Sequence, residues 1–358
     1  ERFGTPKVLV AMEPTGHYWE SFAEYLSDRG VPFVFVNPFH TNRAKELLDN
    51  SPGKSDPKDA RIIASLAAEG RVLKATYPRG EFADLRRLAG CWKTQSEAIA
   101  RETNRIHRIL DQVFPQLPSL FSDIADPTPL ALLEQAATAE ECLQAGEQRL
   151  TEILKHASRG RLGQERARQI VQAAAEAVMV RQGDGVRRLE LRQILARIDS
   201  LKEQGLAIER AMKDGLAKIP YACLLISLRE LGENTAAVIL GELGDLLDYG
   251  SAEELLKVAG LNLYETSSGT HRGAVHVTKR GRPLLRWALY LAASRTMKRG
   301  GAFYEFNERL KLNGKKGDER VVAVARKILK VLYAMVRAGK PFDPKRLVAT
   351  DPAVGAAG

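Results

Sequence analysis

The chain has 358 residues, 44% of them hydrophobic, and carries 54 Lys and Arg against 44 Asp and Glu for a net charge of +10. That length exceeds one ordinary core and suits two or three packed units. No apolar run reaches the roughly 18 residues that a membrane span needs, and no segment reads as a secretory signal. Cys91, Cys142 and Cys223 stand far apart with no CxxC pair. They do not make a disulfide framework, and they point to reduced thiols in a cytoplasmic protein. The positive balance favours a polyanionic partner, because Lys and Arg that neutralise phosphates release counterions.

In chain order, residues 7–13 (KVLVAME) are β-branched and apolar and stop at Pro14-Thr15-Gly16, the pattern of a buried strand running into a turn. Residues 17–29 read as a helix with Trp19, Phe22, Ala23 and Leu26 on one face, ended by Gly30. Residues 32–36 (PFVFV) form a second short strand closed by Asn37-Pro38, and strand-helix-strand suggests a parallel α/β unit. A short helix is expected over 41–48. A stronger one is expected over 57–69, with Pro57 at its first position.

From 81 to 114 the period changes. Leu85, Trp92, Ile99, Ile106 and Val113 recur every seven residues, interleaved with Ala89, Ser96, Thr103 and Leu110. Residues 186–217 repeat the device with Leu191, Ile198 and Met212 beside Ile194, Leu201 and Ile208. These heptads predict a long helical coiled-coil arm over 80–217, serving as a spacer or dimerisation rod. Pro115, Pro118, Pro127 and Pro129 interrupt it, and 130–182 is expected to be helical. Residues 219–260 read as helices separated at Gly232, Gly241, Gly244 and Gly250. Within them ELGENTAAVILGELGD resembles a helix-hairpin-helix, a holder of DNA backbone, except that Glu230 stands where a turn glycine is expected. Three further helices follow over 283–298, 302–311 and 318–338, with a disordered tail expected from about 346.

Two groups of residues carry chemistry. Glu13 ends the first strand, and Asp56 and Asp59 lie three apart at the start of the helix in KSDPKDA. Strand ends are where parallel α/β units place active groups. Carboxylates on one helical face can converge on a hard cation such as Mg²⁺. The same aspartates also fit plain helix capping, Asp56 before Pro57 and Asp59 in the first turn. The second group lies in GLNLYETSSGTHRGAVHVTKRGRPLLRWALYLAA, residues 260–293. From His271 to Gly300 there are eight Lys and Arg and no Asp or Glu. Arg272, Lys279, Arg280, Arg282 and Arg286 are candidates for holding a phosphate, with His271 and His276 as proton relays or plain surface residues. The Ser-Gly within the loop can present a hydroxyl there, or be an ordinary polar loop.

The strings AMEPTGHYWE, VNPFHTNRAKELL and KSDPKDARIIA, in that order, together with the serine block, resemble the DEDD-type insertion-sequence transposases. Relatives of that family include Piv-type DNA invertases and bridge-RNA-guided recombinases. The resemblance covers roughly 7–75 and 219–340. It implies a fold of class α/β plus all-α: a partial RuvC-like domain of RNase H fold over 1–79, lacking its first strands, the arm over 80–217, and a helical transposase domain over 218–345. By motif match Glu13, Asp56 and Asp59 are the second, third and fourth of the four acids and would hold the metal. The first aspartate has no counterpart here, and truncation before Glu1 is the expected reason. Ser268 matches the nucleophile, with Ser267 as fallback. The resemblance also implies Mg²⁺, DNA and a structured guide RNA as partners, and a homodimer or tetramer that cuts and rejoins DNA through a covalent serine link. The rivals are a metal-dependent resolvase-type nuclease and a non-catalytic nucleic-acid-binding protein.

Overall fold

The structure, a computed structural model, describes residues 8–49, 56–72, 79–180, 183–265 and 275–349. It opens with β1 (Val10–Met12), α1 (Tyr18–Asp28) and β2 (Phe33–Phe35). The strands pair in parallel, Val10 opposite Phe33 and Met12 opposite Phe35, as the strand-helix-strand pattern requires. Asn37 starts α2 (Pro38–Asp49): its Oδ1 accepts from Phe39 N at 2.9 Å, and Pro38 sits where a missing N–H costs nothing. Then comes α3 (Asp56–Ala68). Buried Val36, Ile62 and Leu66 pack with Ala11, Ala44, Ile63 and Val72 as a small core between the strands and the two helices.

Next, α4 (Glu81–Val113) runs 33 residues without a break. The chain continues through α5 (Pro127–Gln135), α6 (Ala139–Ser158) and α7 (Gln164–Ala175), and returns along α8 (Asp184–Ala217). Helices α4 and α8 are antiparallel. Trp92 Nε1 donates to Glu209 Oε1 at 3.1 Å near one end, and Arg187 Nε donates to Gln112 Oε1 at 2.9 Å near the other. Arg105 and Arg108 both reach Glu190 at 3.2 Å.

The arm departs from the expected rod in two ways. First, its far half is a lobe with its own core. Ile106, Leu110 and Val113 of α4 and Ile194 and Ile198 of α8 are buried with Phe114, Leu132, Leu150, Leu154 and Ile170 of the segments between them. Second, the heptad seam is closed only at its ends. Leu85 and Ala89 are buried at one end and Ile106 and Leu110 at the other, whereas Trp92, Ser96, Ile99 and Thr103 are half-buried. The hydroxyls explain the opening: Ser96 Oγ and Thr103 Oγ1 bond back to Trp92 O and Ile99 O of their own helix, at 2.9 and 2.8 Å, instead of filling the seam.

The remaining chain forms the largest core. Here α9 (Ala222–Ile226), α10 (Glu233–Leu243) and α11 (Ala252–Ala259) precede a ribbon of β3 (Leu263–Glu265) and β4 (Val275–Val277). Then follow α12 (Pro283–Thr296), α13 (Tyr304–Leu312), α14 (Gly317–Ala338) and α15 (Pro344–Ala349). The start of the expected tail is therefore helical through α15, and residues 350–358 lie outside the described residues. Every residue of α10 from Thr235 to Leu243 is buried, because its apolar run leaves no polar face to turn outward. Core residues of α12 and α14 close over it, with Leu85, Ala89, Met212 and Leu216 from the near ends of α4 and α8. Among the described residues no helix is long and apolar enough to cross a membrane.

Two outcomes follow. A Cβ added at Gly241 of α10 would lie 2.6 Å from Arg86 N and 2.7 Å from the Leu85 carbonyl carbon, both backbone atoms of α4. Gly241→Ala should therefore lower stability by about 1–3 kcal/mol in chemical denaturation, the usual range for overpacking. Burial, followed by the charge of Glu141, pushes the Cys142 thiol up to about 12. It stays protonated at pH 8, so mass spectrometry after iodoacetamide treatment should show exposed Cys91 and Cys223 alkylated and Cys142 unmodified in the folded chain.

Candidate functional site

Glu13 follows β1 directly and lines a cleft of about 600 Å³ with Leu9, Ala11 and Met12 on one side and Ala60, Ile63, Ala64 and Ala67 of α3 on the other. The small alanines of α3 leave this space beside the strand. Asp59 is the residue before Ala60 in α3. Asp56 is the first residue of α3, and its side chain lies outside the described residues.

Asp59 is engaged by Lys45 of α2. Lys45 Nζ donates to Asp59 Oδ2 at 2.7 Å and lies 2.7 Å from Oδ1. Oδ1 itself is buried and has no hydrogen bond. Thus the carboxylate already attracts a cation, its buried Oδ1 lies beside the lysine ammonium without a hydrogen bond, and carboxylate oxygens are the donor type that a hard divalent ion takes. On those observations the residues present fit a metal of that class. Among the described residues no three His, Cys, Asp or Glu side chains gather as a complete metal centre. Sequence reading missed Lys45. The available signal was its position: Thr41, Ala44 and Lys45 fall on one stripe of α2, and Thr41 and Lys45 are both buried.

The serine block takes a form not anticipated from its sequence. Its ends pair as the antiparallel ribbon, Leu263 opposite Val277, Tyr264 opposite His276 and Glu265 opposite Val275. Ser267, Ser268, His271 and Arg272 belong to the connection between the two strands and lie outside the described residues. Below the ribbon the Lys-Arg-Gly turn is locked onto the end of α11. Lys279 N bonds Gly260 O at 3.0 Å and Arg282 N bonds Val258 O at 2.8 Å. A Cβ at Gly281 would collide with Gly260 N and Val258 O, so only glycine fits there. Lys279 takes the left-handed φ of +52° that completes the turn.

The basic residues then divide by direction. Lys279 and Arg280 are exposed. Arg280 stacks over the Phe39 ring of α2, 4.2 Å from its centre, which links the turn to the N-terminal unit. Arg282 points inward: Nη1 donates to Glu242 O, and burial, then the neighbouring Arg86 charge, hold its pKa below the ordinary arginine value. Arg286 Nη1 donates to Ala259 O at 3.1 Å. His276 is exposed beside Tyr264, with ring centres 5.9 Å apart. Glu230, the departure from the hairpin pattern, accepts from Ala302 N at 3.2 Å and so ties the turn before α10 to the approach to α13.

Comparison with known proteins bears on both halves. A transposase model of the DEDD IS110 type matches residues 3–115, and a model described as transposase IS116/IS110/IS902 family matches 222–308. The chain belongs to this transposase family. The IS110 insertion element's uncharacterised 43.6 kDa protein of Streptomyces coelicolor is 28% identical over 96% of this chain and 85% of its own length. An uncharacterised 42 kDa protein of insertion element IS900 from Mycobacterium paratuberculosis is 26% identical over 82% of this chain and 73% of its own. A pilin gene-inverting protein of Moraxella bovis is 30% identical over 35% of this chain and 39% of its own. The family membership makes this transposase one of a class of enzymes that cut and rejoin DNA, and Glu13, Asp56 and Asp59 fall in the first matched segment and Ser268 in the second.

The Lys45–Asp59 contact generates its own test. Asp59→Asn leaves a buried ammonium facing a neutral amide. The variant should lose about 1–3 kcal/mol in urea denaturation, the usual cost of an unsatisfied buried polar group. A plain capping role predicts a smaller loss, since Asn is itself a good cap.

Proposed function

We propose that this transposase cuts and rejoins DNA through a covalent link to Ser268, with Glu13, Asp56 and Asp59 as the acidic half of the same reaction centre. The observation that carries the reading is that the acids and the serine fall in the two segments matched to the family. The basic turn supports it. Backbone hydrogen bonds and a glycine contact fix the turn, and it carries Lys279 and Arg280 outward two and three residues beyond β4. Cations so anchored can hold a phosphate without reorganising.

In the reaction, the Ser268 hydroxyl attacks the scissile phosphorus. The bond to the departing sugar oxygen breaks and leaves as a free strand-end hydroxyl. The new phosphoserine ester stores the bond, and attack by a second strand-end hydroxyl reverses the step and releases the serine. The serine proton needs an acceptor, and the acidic group is the base available in the reading. Lys279 and Arg280 with Arg272 hold the phosphate, while Arg282 and Arg286 hold the turn that presents them. Mg²⁺ is the ion proposed for Glu13, Asp56 and Asp59, where it would neutralise phosphate charge and position the reacting oxygens.

A structured RNA that selects the target and a dimer or tetramer complete the proposal. The half-buried middle of the α4–α8 pair, with Leu206 54% exposed on it, supports assembly along the arm.

In a cleavage assay with the full chain, Ser268→Ala should abolish any protein–DNA species that survives denaturing electrophoresis, while fold and DNA binding persist. An adduct lost only in Ser267→Ala would move the role one residue. An adduct that survives the double change, or free ends with no adduct, would favour a metal-dependent nuclease. Asp59→Ala should remove cleavage and leave nucleic-acid binding in place.

A further inference from the structure

A lysine that is 8% exposed requires an explanation. Lys45 sits on α2 with its stem against the small N-terminal unit, one turn after the fully buried Thr41. Withdrawing an ammonium from water is costly unless a charge and hydrogen bonds replace the solvent. Here Asp59 supplies both: the two carboxylate oxygens stand 2.7 Å from Nζ, and Asp59 keeps only about a third of its side-chain surface. The pair is therefore not the exposed kind whose contribution is near zero. It also places a fixed positive charge at the aspartate that the proposed function counts among the acids.

The geometry points to Lys45 as the resident cation of the acidic site. We propose that it neutralises Asp59 while no divalent ion is bound, keeps the carboxylate cluster folded in that state, and opposes entry of a second cation. The inference rests on the proposal that Glu13, Asp56 and Asp59 hold a metal. In that reading three carboxylates converge and repel one another when nothing lies between them, and a tethered ammonium removes one of those charges. The same ammonium raises the electrostatic cost of adding a divalent ion a few ångströms away. Both carboxylate oxygens stand 2.7 Å from Nζ and Oδ1 is buried, so a metal at Asp59 has to share the carboxylate with Lys45 or displace it. Lys45 is thus a positioning residue that sets the concentration at which the site loads, and it does not touch the DNA.

The test measures Mn²⁺ binding to the full chain by electron paramagnetic resonance, with no DNA or turnover involved. Lys45→Met should bind Mn²⁺ about tenfold more tightly than the parent. Lys45→Arg, which keeps the charge, should stay within about twofold of it. The metal-free melting temperature of Lys45→Met should fall, and saturating Mn²⁺ should raise it by more degrees than it raises the parent. If Lys45→Met does not fold without metal, rescue by Mn²⁺ is the expected result and absence of rescue overturns the proposal. A parent that binds Mn²⁺ together with a Lys45→Met that binds it equally or more weakly overturns the role of Lys45 alone. A parent whose Mn²⁺ binding is nil, or is unchanged by Asp59→Asn, overturns the metal reading and the role of Lys45 with it.

Discussion

The contact between α10 and α4 is the constraint on which the C-terminal half depends. Gly241 lets the two backbones approach until no Cβ fits between them, and every other residue in the body of α10 is buried around that point. The next residue, Glu242, lies between Arg86 of α4, at 4.0 Å, and Arg282 of the Lys-Arg-Gly turn, which donates to its carbonyl oxygen. One turn of α10 therefore joins the near end of the arm to the base of the serine ribbon. Arg282 is better placed as part of that joint than as a surface contact, and its depressed pKa follows from the burial that the joint entails.

A second joint serves the N-terminal unit. Phe39 lies under Arg280, and Arg87 and Arg79 of the segment around the start of α4 reach Glu20 at 3.5 Å and Ser27 at 2.7 Å of α1. These are exposed polar and cation–π contacts, each worth about 1 kcal/mol or less. The contacts that hold the unit carrying the acids are thus weaker than those that lock the Lys-Arg-Gly turn onto α10 and α11. In domain terms, buried hydrogen bonds and a close glycine contact fix the basic turn, and weak surface contacts leave the acidic unit able to adjust.

The helices and the parallel strand pair were legible because their signals are local. Period-2 and period-3.6 apolar patterns, Asn37-Pro38 and the glycines at helix ends each act within a few residues. What escaped the sequence depends on contacts across long separations. The lobe core needs Ile106 of α4 and Ile194 of α8 to meet, and heptad spacing alone describes a seam without saying where it opens. The ribbon strands are three residues each with exposed faces, too short for alternation to register. At the acidic site, spacing marked Asp56 and Asp59 but could not separate metal binding from capping. The contact that bears on the choice, Lys45 with Asp59, joins two helices across a polar loop. Ser268 was legible only through its motif, because Ser-Gly by itself carries no geometry.

The antiparallel course of α4 and α8 has a consequence for how such a chain can change. The chain leaves the main body at Glu81 and re-enters it at Ala217, and Lys218 Nζ and Glu81 Oε1 stand 4.0 Å apart at that gateway. Adding matched turns to both helices would carry the lobe outward by about 1.5 Å per residue pair. The separation of the units on either side of the gateway would stay as it is. The arm behaves as a telescoping boom on a fixed base, so its reach is free to drift between relatives while the parts at its foot keep their spacing.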